Sequence, residues 1–450
     1  MSGTHFDLIV VGTGPSGGTV ARKAAKEGHN VAIVESRQFG GTCALRGCNP
    51  KKVYANAGSL VDQVFRASGT LVGKSDVAIE WSKLEAFKST FTEPVAQKSE
   101  CSFQNDGIAT FHGTAKFTSE SEIAIADITL SADKFLIATG ATPAPLKFTG
   151  NENITRSDEF FELKEIPDRV LFIGGGYVSM EFAHVVARCG TTVTVVDRNP
   201  RVLTGFDSDL VDLLMEYSRQ QGIDFRTNCE VNEIQRQANG SLRVLLSGDQ
   251  AIDADLVVHG AGRVPNIADL NLDAASIQHD KRGVTVTKFM RSPSNDRVFA
   301  TGDCAASGMP RLTPVANEEA RIVAKNLFAD SPEATPDYGV VPKVAFTTPA
   351  VAAVGLSETD ARKSINDLDV RFEDTSSWGS VRKTGDTVAG YKLLIDKQTD
   401  KIRGAHLIGP AAEETINLFA LAMKHGLTAT DIKSTLFAFP TFASDVRRMT

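Results

Sequence analysis

The stretch DLIVVGTGPSGGTVARKAAKEGHNVAIVE, Asp7 to Glu35, decides the architecture. An apolar run reads as a buried strand, a glycine-rich turn follows, then a helical segment, then a second apolar strand ending in Glu35. Gly12, Gly14 and Gly17 stand in G-x-G-x-x-G spacing. The first permits a tight turn, the second lets the backbone approach a pyrophosphate, and the third lets the helix pack on the strand. The helix start offers free N–H groups to a phosphate. Glu35, at the strand end, can accept hydrogen bonds from ribose hydroxyls.

The pattern recurs about 160 residues later in RVLFIGGGYVSMEFAHVVARCGTTVTVVDR, Arg169 to Arg198. Gly174, Gly176 and Ser179 take the turn positions, and Asp197 closes the second strand. Two such units imply two dinucleotides on one chain, most economically a hydride carrier beside a second redox cofactor; a duplicated fold that binds nothing is the alternative. Short Val-, Ile- and Phe-rich strands lie between and after them: IAIADITLS, FLIATGATP, LRVLLSG and LVVHGAGRVPN. From about Val341 the chain changes to strands followed by the helical ETINLFALAMKHG, which reads as a separate α+β domain. SPEATPD, Ser331 to Asp337, reads as a linker.

At 450 residues the chain has room for two to four domains, and 42% hydrophobic with 23% charged residues is ordinary for a globular protein. A net charge of −7 disfavours a nucleic-acid partner. No apolar run approaches the roughly 18 residues that a membrane helix needs, so no membrane partner is expected. MSGTHFDLIVVGTG runs straight into a strand without a basic flank or cleavage site, and a cytoplasmic location is expected.

Of six cysteines, Cys101, Cys189, Cys229 and Cys304 are scattered and read as small buried hydrophobes. Cys43 and Cys48 form the one close pair, in GGTCALRGCNPKK, Gly40 to Lys52. A zinc site would want four ligands in Cys/His spacing, which this stretch lacks, so no metal is expected. A persistent structural disulfide is disfavoured in the cytosol, whereas a redox-cycling one is allowed. The pair is expected at a strand-to-helix junction, with Gly47 permitting the bend. Proximity to a helix start should lower the thiol pKa and leave the reduced pair partly thiolate.

With both nucleotide units and the cysteine pair in view, the chain resembles the flavoprotein disulfide reductases. These are the class I pyridine nucleotide–disulfide oxidoreductases, including glutathione reductase, dihydrolipoamide dehydrogenase and mercuric reductase. The resemblance implies an α/β fold with two Rossmann-like domains, one for FAD and one for NAD(P), plus a C-terminal α+β dimerisation domain. Its boundaries would be 1–148 for the first part of the FAD domain, 149–266 for the NAD(P) domain, 267–332 for the second FAD-binding part, and 333–450 for the dimer interface. FAD is implied at Gly12, Gly14, Gly17, Glu35, Gly41, Thr42 and Ala115, and at Thr139 and Gly140 of ATGATP. It is implied also at Asp303 of VFATGDCA, on the ribityl chain, and at Thr313, Pro314 and Val315 of LTPVANEEAR, by backbone and helix dipole near the flavin ring. The nicotinamide nucleotide is implied at Gly174, Gly176, Tyr177, Asp197 and Arg198, and at Gly262 of GAGRVPN. FTTPAVAAVGLSE and GAHLIGPAAEE match the dimer-interface domain, so a homodimer is implied.

The resemblance also implies roles. Electrons would pass from NAD(P)H to FAD, then to Cys48, which faces the flavin, while Cys43 attacks a small-molecule or protein disulfide acceptor. Lys51, partnered by Glu181, would supply a cation near the flavin, and Tyr177 would cover the ring until nicotinamide enters. Asp197 favours NADH because a carboxylate repels a 2′-phosphate, although Arg198 and Arg201 are close.

One motif departs. Members that reduce small disulfides end in His-Pro-Thr-x-x-Glu, whose histidine protonates the leaving thiolate; here the stretch is FPTFAS, with Phe439 and Ser444 at the two acid–base positions. None of the eight histidines is an evident substitute, and His406 and His425 read as structural. Glutathione loses further support because Thr335 stands where a second carboxylate-binding arginine beside Arg22 would be. No cysteine follows Cys304 in this sequence, so no C-terminal cysteine shuttle is expected. The acceptor is therefore expected to be a non-standard disulfide or related electrophile. An NAD(P)H oxidase, quinone reductase or transhydrogenase working from the flavin alone is an alternative, as is a non-catalytic redox-sensing flavoprotein.

Overall fold

A computed structural model describes residues 4–74 and 76–450. The chain divides into two compact units, one of Met1–Pro50, Phe87–Ala144 and Arg263–Tyr338, the other of Lys51–Ala86, Pro145–Gly262 and Gly339–Thr450.

The first unit is built on a seven-stranded sheet. Thr4–Val11 pairs in parallel with Val31–Glu35 and with Ile128–Ile137, and Val298–Ala300 adds in parallel to the latter. Parallel strands are covered on both faces and so read as continuous apolar runs; Leu8, Ile9, Val10, Ile33, Leu136 and Ile137 are all buried. The helix Pro15–Lys26 follows the first turn, with proline at its start, where the missing N–H costs nothing. It packs beside the helix Thr313–Asn326.

The second unit contains the repeated pattern. Ile223–Thr227, Thr192–Asp197, Arg169–Ile173 and Leu256–His259 form a four-stranded parallel sheet in that order. The helix Tyr177–Ala187 follows its glycine turn. A three-stranded antiparallel sheet runs from Val231 to Ala254. The C-terminal residues form a five-stranded sheet, mainly of the strands Ala350–Gly355, Lys401–Gly409, Gly390–Asp396 and Leu368–Asp374, against which the helix Ala412–Lys424 packs. The architecture is the α/β arrangement the sequence implies.

A buried charge network ties the second unit together. Asp62, 3% exposed, lies on the helix Cys48–Ala67. Its carboxylate accepts from Arg66 Nε at 2.8 Å, from the Tyr217 hydroxyl at 3.0 Å, and from Arg188. Arg66 in turn pairs with Asp386 at 2.7 Å. One carboxylate thus links that helix, the end of the Tyr177–Ala187 helix, the helix Ser208–Gln220 and the loop before Gly390–Asp396. Buried charges are tolerated only when paired. Removing one partner of a buried pair costs about 3–5 kcal/mol. Asp62→Ala is therefore expected to lower the free energy of unfolding, measured by urea titration, by an amount in that range, and a value equal to wild type would show that the network contributes nothing.

Candidate redox pair and dinucleotide cradles

Cys43 and Cys48 sit on two consecutive helices, Gly41–Arg46 and Cys48–Ala67, and not at the expected strand-to-helix junction. Gly47 separates them with φ −143° and ψ −113°. A Cβ there would lie 2.8 Å from the Thr42 carbonyl oxygen, so the break between the helices requires glycine. Both cysteines are free thiols, Cys43 half-buried and Cys48 exposed. The Cys43 thiol is pushed far above its ordinary range, chiefly because it donates a hydrogen bond to the Cys48 sulfur, then by burial and by the charge on that sulfur. At Cys43 the shift is upward and not downward, with the hydrogen bond to the Cys48 sulfur and burial as its main causes. The Thr313 hydroxyl acts in the opposite direction. Its Oγ1 lies 3.5 Å from each sulfur, a contact the sequence did not reveal because the residues are 270 and 265 positions apart. Of the other cysteines only Cys304 is fully buried; Cys101 is exposed, against expectation.

The first glycine turn forms a cradle within the first unit. Gly12 has φ +108°, and a Cβ on it would lie 2.4 Å from the Ala138 carbonyl oxygen; one on Gly17 would lie 2.1 Å from the Gly12 oxygen. A Cβ on Gly41 would lie 2.5 Å from Gly14 Cα, so two glycine backbones cross there. Gly14 and Gly140 face open space. Glu35 is held in place, its Oε2 accepting from the Thr13 N–H at 3.1 Å and hydroxyl at 2.6 Å, its Oε1 from the Arg37 N–H at 3.0 Å. Thr139 adjoins Gly140 at the strand end, and Ala115 is buried at the start of the strand Ala115–Ser119. Asp303 lies in the turn Gly302–Cys304; burial holds its carboxyl above the usual range, against the pull of Arg263 and Arg311. The buried Thr301 hydroxyl has no hydrogen-bond partner. Thr313, Pro314 and Val315 begin the helix Thr313–Asn326. Open glycine backbone, a fixed carboxylate and an orphaned hydroxyl fit a flavin dinucleotide.

The second cradle is of the same kind. Gly174 has φ +90°, and a Cβ on it would lie 2.6 Å from Ala261 Cα, while Gly262 faces open space. Gly176 caps the start of the helix Tyr177–Ala187. Ser179 fills the third glycine position, and it fits because residue 260 is glycine: a Cβ on Gly260 would lie 1.7 Å from Ser179 Oγ. That hydroxyl is buried without a partner. Asp197 Oδ2 accepts from the Gly175 N–H at 2.5 Å, and Oδ1 from the backbone and side-chain nitrogens of Asn199 at 2.7 and 2.8 Å. Arg198 is exposed, whereas Arg201 is held by both oxygens of Asp212 at 2.6 and 2.9 Å.

Also within the second unit, Lys51 and Glu181 pair as expected, with Nζ to Oε2 at 3.3 Å and Lys51 buried. Lys52 comes closer still, at 2.6 Å, and lies over the Phe346 ring. Glu181 Oε1 accepts from the Phe346 N–H at 3.1 Å. The Lys51 ammonium also sits 4.4 Å from the Tyr177 ring centre. The doubled lysine in CNPKK was the signal for Lys52.

The C-terminal departure is structural as well as sequential. Phe439 is 86% exposed. Ser444 donates to the Thr441 carbonyl at 2.6 Å and accepts from the Thr441 N–H at 3.2 Å, so it closes the cap of the helix Phe442–Met449. His406 is buried with its pKa lowered mainly by desolvation, and its Nε2 contacts the Leu356 carbonyl at 3.0 Å, a structural role. His425 is exposed just after the helix Ala412–Lys424.

The contact between Ser179 and Gly260 yields a steric test. Gly260→Ala forces overpacking, which costs about 1–3 kcal/mol, and should lower the melting temperature and weaken nicotinamide nucleotide binding. Adding Ser179→Gly removes both atoms nearest the new methyl and should restore most of the loss in calorimetry. A double variant no better than Gly260→Ala would place the strain elsewhere.

The family described as pyridine nucleotide-disulphide oxidoreductase matches residues 6–320, and its dimerisation domain matches residues 341–450. Glutathione reductase of Burkholderia cepacia is 32% identical, over 98% of this chain and 97% of the relative. Mercuric reductase of Staphylococcus aureus is 30% identical, over 98% and 81%. Two solved structures of the HOCl-induced flavoprotein disulfide reductase RclA from Escherichia coli are each 25% identical. One, a Cu(II) complex of a cysteine-to-serine mutant, has a TM-score of 0.89 and covers 99% of both chains; the other has a TM-score of 0.88 and covers 98% and 99%. A family profile over both halves, full-length relatives and two glycine cradles agree: the chain belongs to the class I pyridine nucleotide–disulfide oxidoreductases, flavin-dependent enzymes that use a pyridine nucleotide and act on sulfur groups.

Proposed function

We propose that this enzyme carries electrons from NADH to FAD, then to a Cys43–Cys48 disulfide, and from the reduced pair to an acceptor that needs no proton donor at positions 439 and 444. The observation that carries this is the combination of an intact sulfur pair with an exposed Phe439 and a Ser444 engaged in its own helix cap. General acid–base help is typically worth about 10²–10⁴ in rate, so glutathione disulfide and lipoamide should be poor substrates. Arg22, a candidate for a glutathione carboxylate, is already paired with Asp106 at 3.2 Å and stacked on Phe103. A disulfide with an acidic leaving thiol fits best. A soft metal ion is the second reading, supported by the Cu(II) complex of the Escherichia coli neighbour.

When bound, FAD supplies the two-electron carrier between nicotinamide and disulfide. The chain's own groups bind and orient it: Gly14 by open backbone at the phosphates, Glu35 at the ribose, Asp303 at the ribityl chain, with Gly41, Thr42, Ala115, Thr139, Gly140, Pro314 and Val315 around it. Lys51, fixed by Glu181, supplies the cation that favours a reduced, anionic ring. Cys48 receives the electrons and Cys43 attacks the acceptor. The dimerisation domain supports assembly as a homodimer.

Asp197 favours NADH, because its carboxylate is locked at the strand end while Arg201 is neutralised by Asp212. The kcat/KM for NADH should exceed that for NADPH by about tenfold, roughly one charge-assisted hydrogen bond, and Asp197→Ala should abolish the difference. A wild-type preference for NADPH would overturn this assignment.

The electron route is tested by anaerobic mixing with NADH. Wild type should develop long-wavelength thiolate-to-flavin absorbance, and Cys48→Ser should lose both that band and turnover across a panel of disulfides, persulfides and Cu(II). If Cys48→Ser keeps full turnover with quinone or oxygen and wild type reduces no disulfide or metal, the enzyme works from its flavin alone. A flavin reduced once without turnover on any acceptor would instead mark a redox-sensing binder.

A further inference from the structure

The sulfur pair has a protic neighbour whose side chain serves no other purpose in the helix it begins. Thr313 is the first residue of Thr313–Asn326, and that helix start has no side-chain cap. Its hydroxyl oxygen is 3.5 Å from the Cys43 sulfur and 3.5 Å from the Cys48 sulfur. A hydroxyl carries one donor and two acceptor sites and rotates to suit its neighbours. Equal distances let one O–H serve either sulfur in turn.

The chemistry requires such a group. Attack on an acceptor needs a thiolate. Cys43 is half-buried and gives its hydrogen to Cys48. The acid–base positions that the resemblance implies hold an exposed phenylalanine and a serine committed to its helix cap.

We propose that the Thr313 hydroxyl is a catalytic hydrogen-bond donor to the reduced cysteine pair, stabilising the thiolate on Cys43 during attack and turning to Cys48 when that sulfur closes the disulfide. The proposal rests on the functional reading above in taking Cys43 as the attacking sulfur. In the first step the Cys43 proton passes to the Cys48 sulfur, and the Cys43 thiolate bonds to one acceptor sulfur; the acceptor S–S bond breaks, and its other half leaves as a thiolate with the electron pair. That thiolate takes the proton of Cys48 through solvent. Cys48 then attacks the Cys43 sulfur, the mixed disulfide breaks, and the second half of the acceptor leaves as a thiolate. Two electrons have passed from the cysteine pair to the acceptor, the pair ends as a disulfide, and Thr313 keeps its proton throughout.

The test uses flavin-loaded wild type, Thr313→Val, Thr313→Ala and Thr313→Ser. Each is reduced with dithiothreitol without oxygen, and iodoacetamide labelling of Cys43 at pH 7.5 is followed by mass spectrometry. Loss of the hydroxyl in the valine and alanine variants should slow Cys43 labelling by about tenfold, equivalent to about one pKa unit. The serine variant should stay within about twofold of wild type. One flavin per chain in each preparation shows that the fold is retained, and the alanine variant decides if valine loses its flavin. Labelling of the valine or alanine variant as fast as wild type, or of the serine variant as slowly as alanine, overturns the proposal. The two readings fail separately: full disulfide turnover in Cys43→Ser would overturn the functional assignment of that sulfur, whereas the labelling ratios judge the hydroxyl alone.

Discussion

At the end of each parallel sheet a glycine is pressed against the backbone of another segment, and both nucleotide cradles depend on that contact. Gly12 lies so close to Ala138, and Gly174 so close to Ala261, that any side chain would overlap main-chain atoms. Both have positive φ, which an L-residue adopts only at a cost. The sharp turn brings the next helix back over the sheet with its N-terminus toward the strand ends. Bare backbone there faces the space where a phosphate can sit. A methyl group at either point would change the path of the chain as well as the pocket.

This constraint is why so much of the fold was legible in the sequence. Parallel strands covered on both faces must be apolar along their length, so LIVV and VLFI announce themselves. The glycines mark the turns, and Glu35 and Asp197 end strands where the helix start leaves N–H groups to bind: each carboxylate accepts a backbone hydrogen from its own glycine turn. Such features are local, lying within about 30 residues, and local spacing carries them.

What was not legible is what only folding brings together. The Asp62 network gathers residues from four separate stretches, and no periodicity in the chain connects Asp62 to Tyr217 or Arg66 to Asp386. The clash that permits serine at position 179 lies at position 260. The two thiols illustrate a subtler failure. A helix start should favour a thiolate, and that argument considers one sulfur at a time. With a second sulfur in hydrogen-bond contact, the first proton lost from the pair makes the second harder to remove. The hydrogen bond to the neighbouring sulfur and burial raise the Cys43 thiol first, and the charge on that sulfur adds to them.

That coupling gives meaning to the absent acid–base dyad. A reduced pair that shares one proton already holds the proton needed by the first departing thiolate. An acceptor whose leaving group is acidic needs little more, and a metal cation needs none. A basic leaving thiolate, as from an ordinary alkyl disulfide, would want a donor poised beside it. Phe439 cannot supply one, and an exposed aromatic at this position favours contact with an apolar or polarisable partner instead. In the proposed function this departure narrows the acceptor class and leaves the proposed electron path unchanged, because none of the residues proposed to hold the two dinucleotides or the cysteine pair lies in that C-terminal turn.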